Sequence, residues 1–271
     1  MKNENVMKRY NDCEVLILGN SHPFFGLNPV FFTYNTFNLS NVSQTLCFDK
    51  LLLDKHLGHF QKLKYVILAI EYTTLSHSDN NPEMQWRKYF YEAQMGLNIP
   101  EISCFDLKKY SLALVPPPTI NKVSIKTFFN RGSIAQTDSL GFAANYGVLS
   151  EYNNPPAAVV KMKQHEDGSL SFDKNLTRIN DIIIKCKKKG IKVLLVNMPV
   201  TSYYADNVIP QKRQKIVNTC EMIALENNID YIDLFRSKVF NNDDFYDVDH
   251  LNVQGAKKCS ELLNQYILTL K

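Results

Sequence analysis

Cys13-Glu14-Val15-Leu16-Ile17-Leu18-Gly19-Asn20-Ser21-His22-Pro23 is the stretch whose reading decides the fold. Its apolar run is short, carries no polar alternation and stops at a glycine, as a strand buried on both faces does. The same signal recurs along the chain. Thr33 to Leu39 is a weaker strand, rich in aromatics and threonine. Tyr65 to Ile70, Ile191 to Val196 (followed by Asn197-Met198-Pro199) and Ile229 to Leu234 are three more. Helical periodicity fills the gaps. Leu46 to Leu63 sets Leu51, Leu52, Leu53, His56, Leu57 and Phe60 mostly on one side, and Asp173 to Lys189 repeats Leu176, Ile179, Ile183 and Cys186 before the stop at Gly190. Gln211 to Asn227 carries Ile216, Cys220, Ile223 and Ala224, and a last helix capped by Asn252 runs through Leu262, Leu263, Tyr266 and Ile267. Strands alternating with helices predict a parallel five-stranded α/β sheet covered by helices on both faces.

The middle breaks this rhythm. Ser76 to about Asp173 is long and aromatic, with Trp86, Tyr89, Phe90, Tyr91, Phe128, Phe129, Phe142 and Tyr146 and the break Pro116-Pro117-Pro118. A structureless loop of that length is improbable in a compact domain. The expectation is one domain over 1–271 with an inserted subdomain at about 76–173, containing helix near Pro82 to Leu97 and Ile102 to Leu114. Some of its aromatics can form a platform for sugar rings, with Arg87 and Arg131 as candidate anion binders, or they can simply be its core.

Composition removes several function classes. The chain has 271 residues, 45% hydrophobic and 21% charged, with a net charge of +4, which argues against disorder. The short run Lys185 to Lys189 lies where a helix ends, where cations are favoured, so no nucleic-acid partner is expected. Met1 to Asn11 is polar and Val15 to Leu18 is too short for a leader or a membrane span, so a soluble, cytoplasmic chain is expected. The six cysteines, Cys13, Cys47, Cys104, Cys186, Cys220 and Cys259, form no CxxC pair and are expected to be reduced.

Two segments can carry chemistry. Ser21 follows the first strand, at the end of a parallel sheet where ligands bind, on a turn that Gly19 makes easy. Neighbouring backbone N–H groups there can face an anion, although Asn20 and Ser21 equally suit a plain helix cap. Asp247-Val248-Asp249-His250 lies between the fifth strand and the last helix. Asp247 can fold back on the ring of His250, fix its tautomer and leave the other nitrogen facing a nucleophile. The same residues also suit a surface turn beside Asn241-Asn242-Asp243-Asp244. A divalent cation is not expected there, because EF-hand spacing and its glycine are missing. His22 is expected not to bond Ser21 but either to line the cleft or to be packed without a catalytic role, and His165, in Gln164-His165-Glu166-Asp167-Gly168, to face solvent.

Taken together these segments resemble the SGNH/GDSL hydrolase superfamily. Gly19-Asn20-Ser21 is similar to its first block, usually Gly-Asp-Ser, and Asp247-Val248-Asp249-His250 to its last, Asp-x-x-His. The resemblance covers roughly 12–75 and 174–270. It implies a three-layer flavodoxin-like α/β/α fold, with Ser21 as nucleophile, His250 as general base and Asp247 as its orienter, and no cofactor. Asn38 to Thr45 looks like the second block, with Ser43 in the place of the glycine whose N–H serves the oxyanion hole. The third block, Gly-x-Asn-Asp, reads Glu71-Tyr72-Thr73-Thr74 here. Its asparagine donor is absent, and Thr73, Thr74 or Asn41 is expected to replace it. Glu71 and Tyr72, with His22, are expected to contact substrate.

This altered pattern resembles the divergent members that handle acyl groups on bacterial cell-surface polysaccharides, of the alginate-acetylation and teichoic-acid-alanylation type. Those are usually exported and carry a glycine shortly after the histidine, as Gly255 follows His250. The resemblance implies a serine esterase or O-acyltransferase acting on a short acyl ester, acetyl on a carbohydrate first, with a small-molecule or polysaccharide substrate. The lost third block also motivates a second reading, a non-catalytic carbohydrate-binding or scaffold protein that kept the fold. Ser21 and His250 within hydrogen-bond reach favour the enzyme; side chains facing apart favour the binder. A nucleotide- or flavin-binding domain is disfavoured, because no phosphate cradle follows the first strand.

Overall fold

The computed structural model describes residues 2–78, 82–110, 137–143 and 150–270, with residues 82–86 as backbone only. In chain order its elements are α1 (Lys2–Lys8), β1 (Val15–Leu18), α2 (Ser21–Gly26), β2 (Thr36–Asn38), α3 (Leu46–His56), β3 (Tyr65–Ala69), α4 (Pro82–Met95), α5 (Pro155–His165), α6 (Asp173–Lys187), β4 (Lys192–Asn197), α7 (Ser202–Ala205), α8 (Pro210–Asn227), β5 (Asp230–Asp233) and α9 (Val253–Thr269). The strands form one sheet in the order β2-β1-β3-β4-β5, and every pairing is parallel. The register sets Leu16 beside Val66 and Val66 beside Val193.

Strand side chains alternate between faces, and here both faces are apolar. Leu16, Leu18, Val66, Leu68, Val193 and Leu195 enter one core with α3, α6 and α8. Val15, Ile17, Ile67, Ala69, Leu194 and Val196 enter the other, with Cys259, Leu263 and Ile267 of α9. This is the three-layer α/β/α arrangement expected. At the sheet edge β5 is only half-buried, with Asp230 and Asp233 at its two ends.

Helix ends follow their capping residues. Asn252 accepts from the N–H groups of Gln254 and Gly255, as expected of the cap of the last helix. A methyl group on Gly255 would meet the carbonyl oxygen of Asp244 at 2.0 Å, so only glycine lets α9 start so close to the preceding loop.

The segment after β3 departs in part. α4 forms close to the expected Pro82 to Leu97, and Tyr89, Tyr91, Met95, Leu97, Ile99 and Ile102 join the core shared with α3. The expected helix over Ile102 to Leu114 is corrected: among the described residues there is only a short turn at Leu107–Lys109. Ser103 Oγ takes the N–H of Phe105 and Asp106 Oδ1 that of Lys108, local bonds that compete with a helix. α5 was not read from the sequence, although Asn154-Pro155-Pro156 supplies a cap followed by proline in the first turn. Pro116 to Pro118, Phe128, Phe129, Arg131, Tyr146 and the side chain of Trp86 lie outside the described residues.

Candidate active site

The sheet order makes β1 and β3 the neighbours at which the chain reverses its winding, the place where open α/β sheets bind ligands. Gly19 ends β1 at φ +132°, and a Cβ there would lie 2.8 Å from that of Ala69. The chain can therefore turn sharply into α2. Asn20 caps that helix, its Oδ1 accepting the N–H of His22 at 3.0 Å, and Ser21 is the first helical residue. Cap and exposed hydroxyl thus sit side by side. Asn38, fully buried at the end of β2, donates to the carbonyls of Pro23 and Leu27 at 2.8 Å each and latches α2 to the sheet.

Asp247 to His250 is carried by a loop closed at its base. Tyr246 N–H bonds the carbonyl of His250, and Asn252 N–H that of Asp244. Buried Thr201 donates its hydroxyl to the carbonyl of Val248 at 2.7 Å. His250 Nε2 lies 2.9 Å from Ser21 Oγ. Both carboxylate oxygens of Asp247 lie 3.0 Å from Nδ1, and one also takes the backbone N–H groups of Asp249 and His250. A hydroxyl, an imidazole and a carboxylate in this chain of contacts can pass a proton from oxygen to nitrogen and hold the resulting cation.

The electrostatics follow from burial and neighbours. Burial works against charge on His250, but Asp249 and Asp247 outweigh it and hold the ring above the ordinary histidine value. His22 is pushed well below that value, by burial first and then by His250, whose ring stacks on it at 5.0 Å. Burial alone would raise Asp249, yet His250, Lys161, His165 and His22 hold it well below the usual carboxylate range.

The loop after β2 lines the other wall. Ser43 adopts φ +50°, the left-handed conformation that favours glycine, at the position where the resemblance expects one. Its neighbours are tied down. Arg87 Nη1 donates to the carbonyl of Val42 at 2.8 Å. Tyr91 donates to Gln44 Oε1 at 2.8 Å, Gln44 Nε2 to Asp49 Oδ1 at 2.7 Å, and Gly19 N–H to the same Asp49 oxygen at 2.9 Å. This buried relay was not read from the sequence. Its members lie on α4, α3 and two loops, and no spacing links them.

The cleft, about 690 Å³, gathers Ser21, His22, Phe25, Ser43, Thr73, Thr74, Asp247 and His250. Three expected contacts are corrected. Asn41 is not part of the cleft lining: its Oδ1 takes the N–H of Val42, one residue on. Tyr72 turns its hydroxyl to Glu166, 2.5 Å away, and Glu71 is buried beneath the cleft, where burial pushes its carboxyl well above the usual range. Both side chains follow β3 into the core rather than the opening. Thr74 accepts the N–H of Glu71 at 2.8 Å, so Thr73 is the cleft hydroxyl not committed to that turn. His165 is not a solvent-facing turn residue. It ends α5, its side chain is 26% exposed, and its Nδ1 lies 2.7 Å from the Tyr204 hydroxyl.

The chain matches none of the protein-family models and none of the curated proteins. Solved structures do resemble it. A provisionally assigned acylhydrolase from Bacteroides fragilis aligns over 99% of this chain and 94% of its own, at 13% identity and a TM-score of 0.51. A GDSL-like lipase from Bacteroides thetaiotaomicron aligns over 99% and 95%, at 13% identity and a TM-score of 0.48. A lipase/acylhydrolase from Enterococcus faecalis aligns over 95% and 96%, at 12% identity and a TM-score of 0.43. At such identities the likeness is one of fold, the three-layer α/β/α fold that the sequence resemblance implied.

Proposed function

We propose that this chain is an SGNH-type serine esterase or O-acyltransferase. The 2.9 Å contact between Ser21 Oγ and His250 Nε2 carries the reading and favours it over a non-catalytic binder, whose side chains have no reason to meet. Ser21 Oγ attacks the acyl carbonyl while His250 Nε2 takes its proton, and Asp247 steadies the imidazolium. The N–H groups of Ser21 and Ser43 face the oxyanion, with the Thr73 hydroxyl in place of the missing asparagine donor. His250 then returns its proton to the leaving alcohol. Water or a sugar hydroxyl attacks the acyl-Ser21 carbonyl and loses its proton to His250, which passes it to Ser21 Oγ as the acyl–oxygen bond breaks.

Cleft chemistry supports the substrate class. Phe25 and Val42 give an apolar wall beside Ser21 that suits a short acyl group. Gln44, Thr45, Thr73, Thr74, His77 and Gln164 offer hydroxyls, amides and an imidazole to a polyhydroxylated alcohol. An acetylated carbohydrate fits both. The test is acetyl release from p-nitrophenyl acetate and from an acetylated xylo-oligosaccharide. Ser21→Ala and His250→Ala are expected to lower kcat/KM at least ~10³-fold with unchanged circular dichroism. Equal rates in wild type and both variants would overturn the reading.

A further inference from the structure

A second groove, about 690 Å³, opens from the catalytic cleft along α5. That size falls within the ~300–1,000 Å³ of ligand sites. Pro156, Ala157, Val160, Lys161 and Gln164 line it at positions i, i+1, i+4, i+5 and i+8, one face of the helix. Lys161, Gln164 and Asp247 line the cleft as well, so the two spaces meet there. They meet on the His250 side: Asp247 holds the His250 ring, and Lys161 Nζ lies 3.4 Å from Asp249 Oδ1. The opposite wall, of Phe25, Val42 and Ser43, lines the cleft and not the groove. Chemistry separates these two sides. His250 Nε2 gives its proton to the departing alcohol and takes one from the incoming water or alcohol. The alcohol oxygen is therefore beside His250 in both half-reactions, while the acyl group lies along Phe25 and Val42. Whatever extends the alcohol beyond its reacting hydroxyl has the groove open before it.

The groove's outer wall carries Tyr152, which is 62% exposed and touches no other ring among the described residues. Its loop is anchored to the segment that carries His250. Ser150 N–H donates to the Tyr246 carbonyl at 2.8 Å, and Asn153 Nδ2 to the Asn242 carbonyl at 2.9 Å. Tyr152 N–H in turn bonds Ser150 Oγ at 3.2 Å. A large aromatic left open on a loop tied to the catalytic histidine is preorganised for a ligand. Ala157, Val160 and Val248 supply apolar surface beside it. The Gln164 amide, without a hydrogen-bond partner among the described residues, stands where groove and cleft join. A sugar ring has this dual character. Its C–H face suits an aromatic ring and aliphatic side chains, and its hydroxyls suit an amide and an ammonium. A long acyl chain would use the apolar surface alone, and it would leave the carbonyl on the other side.

We propose that this groove binds the next sugar unit of a carbohydrate chain whose esterified unit occupies the catalytic cleft. Tyr152 is its stacking platform and Gln164 its hydroxyl partner at the junction. The proposal rests on the esterase or acyltransferase reading, and it narrows the substrate from an acylated carbohydrate in general to a chain of two or more units.

The test compares acetylated one-unit and three-unit members of the xylo-, manno- and gluco-oligosaccharide series on the full chain. In at least one series kcat/KM should be about tenfold higher for the three-unit ester, with the gain carried mainly by KM. Tyr152→Ala should erase that gain and Tyr152→Phe should retain it; the residue is exposed, so neither variant threatens the fold. Equal kcat/KM at both lengths in every series would overturn the proposal, and so would a gain that survives Tyr152→Ala. A preference for longer acyl chains on p-nitrophenyl esters, lost in Tyr152→Ala, would assign the groove to the acyl side and overturn it too. Calorimetric binding of the three-unit esters to Ser21→Ala protein, weakened about tenfold by adding Tyr152→Ala, reads the groove without turnover. A chain that binds in this way but releases no acetyl would keep the groove and sink the esterase reading. A chain that cleaves p-nitrophenyl acetate with no length dependence on the oligosaccharides would do the reverse.

Discussion

His250 stands between two carboxylates that divide the work of Asp-x-x-His. Asp247 touches the ring nitrogen at 3.0 Å from both oxygens and orients it; Asp249, at 3.4 Å and fully buried, supplies more of the charge that raises its proton affinity. A general base works only unprotonated, so kcat/KM should rise with pH along a limb set by His250 above the ordinary value of about 6.5. Removing a negative charge lowers that proton affinity. Asp249→Asn should therefore move the limb to lower pH, whereas Asp247→Asn should mainly lower the plateau, by ~10²–10⁴-fold. A pH–rate profile of each variant checks this, and an unmoved limb in Asp249→Asn contradicts it. Gly19 is the other decisive residue. Its φ of +132° and the 2.8 Å approach to Ala69 leave no room for a side chain, so Gly19→Ala should destabilise the fold by more than about 1 kcal/mol in urea melts. Ser21, Asp247 and His250 were legible because each lies in a short motif at the end of a strand or the start of a helix. Asn41 and Tyr72 were misjudged because sequence position gives the loop and not the direction of the side chain.

α4 acts on the site at a distance. Through Arg87 it holds Val42, and through Tyr91, Gln44 and Asp49 it reaches the N–H of Gly19. The strained Ser43 and the turn into Ser21 are thus braced by one helix of the central segment. Tyr91→Phe removes one bond of this relay and should raise the barrier by about 0.5–1.5 kcal/mol, read as lower kcat at nearly constant KM. Asp49 in the same relay is pushed up to about 7 by burial. Its folded value thus exceeds its unfolded value of about 3.9, and the folded state binds the extra proton between them. The stability this contributes is full below the unfolded value and is lost as pH rises through about 7. Asp49→Asn should remove that loss. The gap in ΔG between wild type and variant should therefore shift against wild type between about pH 4 and 8 in denaturant titrations, and a constant gap contradicts it. None of this was legible beforehand, because α4 and α3 are joined only by side chains distant in sequence.

At the scale of the molecule, the parallel sheet and its two cores were predictable because apolar runs on both parities admit little besides a doubly covered parallel sheet. β1 and β3 bury every residue and pair in register from Val15 beside Tyr65 to Leu18 beside Leu68. Leu16→Ala, at 0% exposure, should cost ~2–5 kcal/mol in the same melts. The central segment was harder, because its described aromatics Tyr89, Phe90 and Tyr91 pack into the core shared with α3 and carry no period of their own. What the fold accomplishes is to bring residues 21 and 250, the second at the far end of the chain, within one hydrogen bond of each other. The most direct measurement of whether that pairing is chemical is active-site labelling. Wild-type protein should react with a fluorophosphonate to give a single adduct by intact mass, mapped by peptide sequencing to Ser21. The adduct should be absent in Ser21→Ala and formed far more slowly in His250→Ala. A wild-type chain that stays unlabelled, or labels elsewhere, would contradict a nucleophilic Ser21.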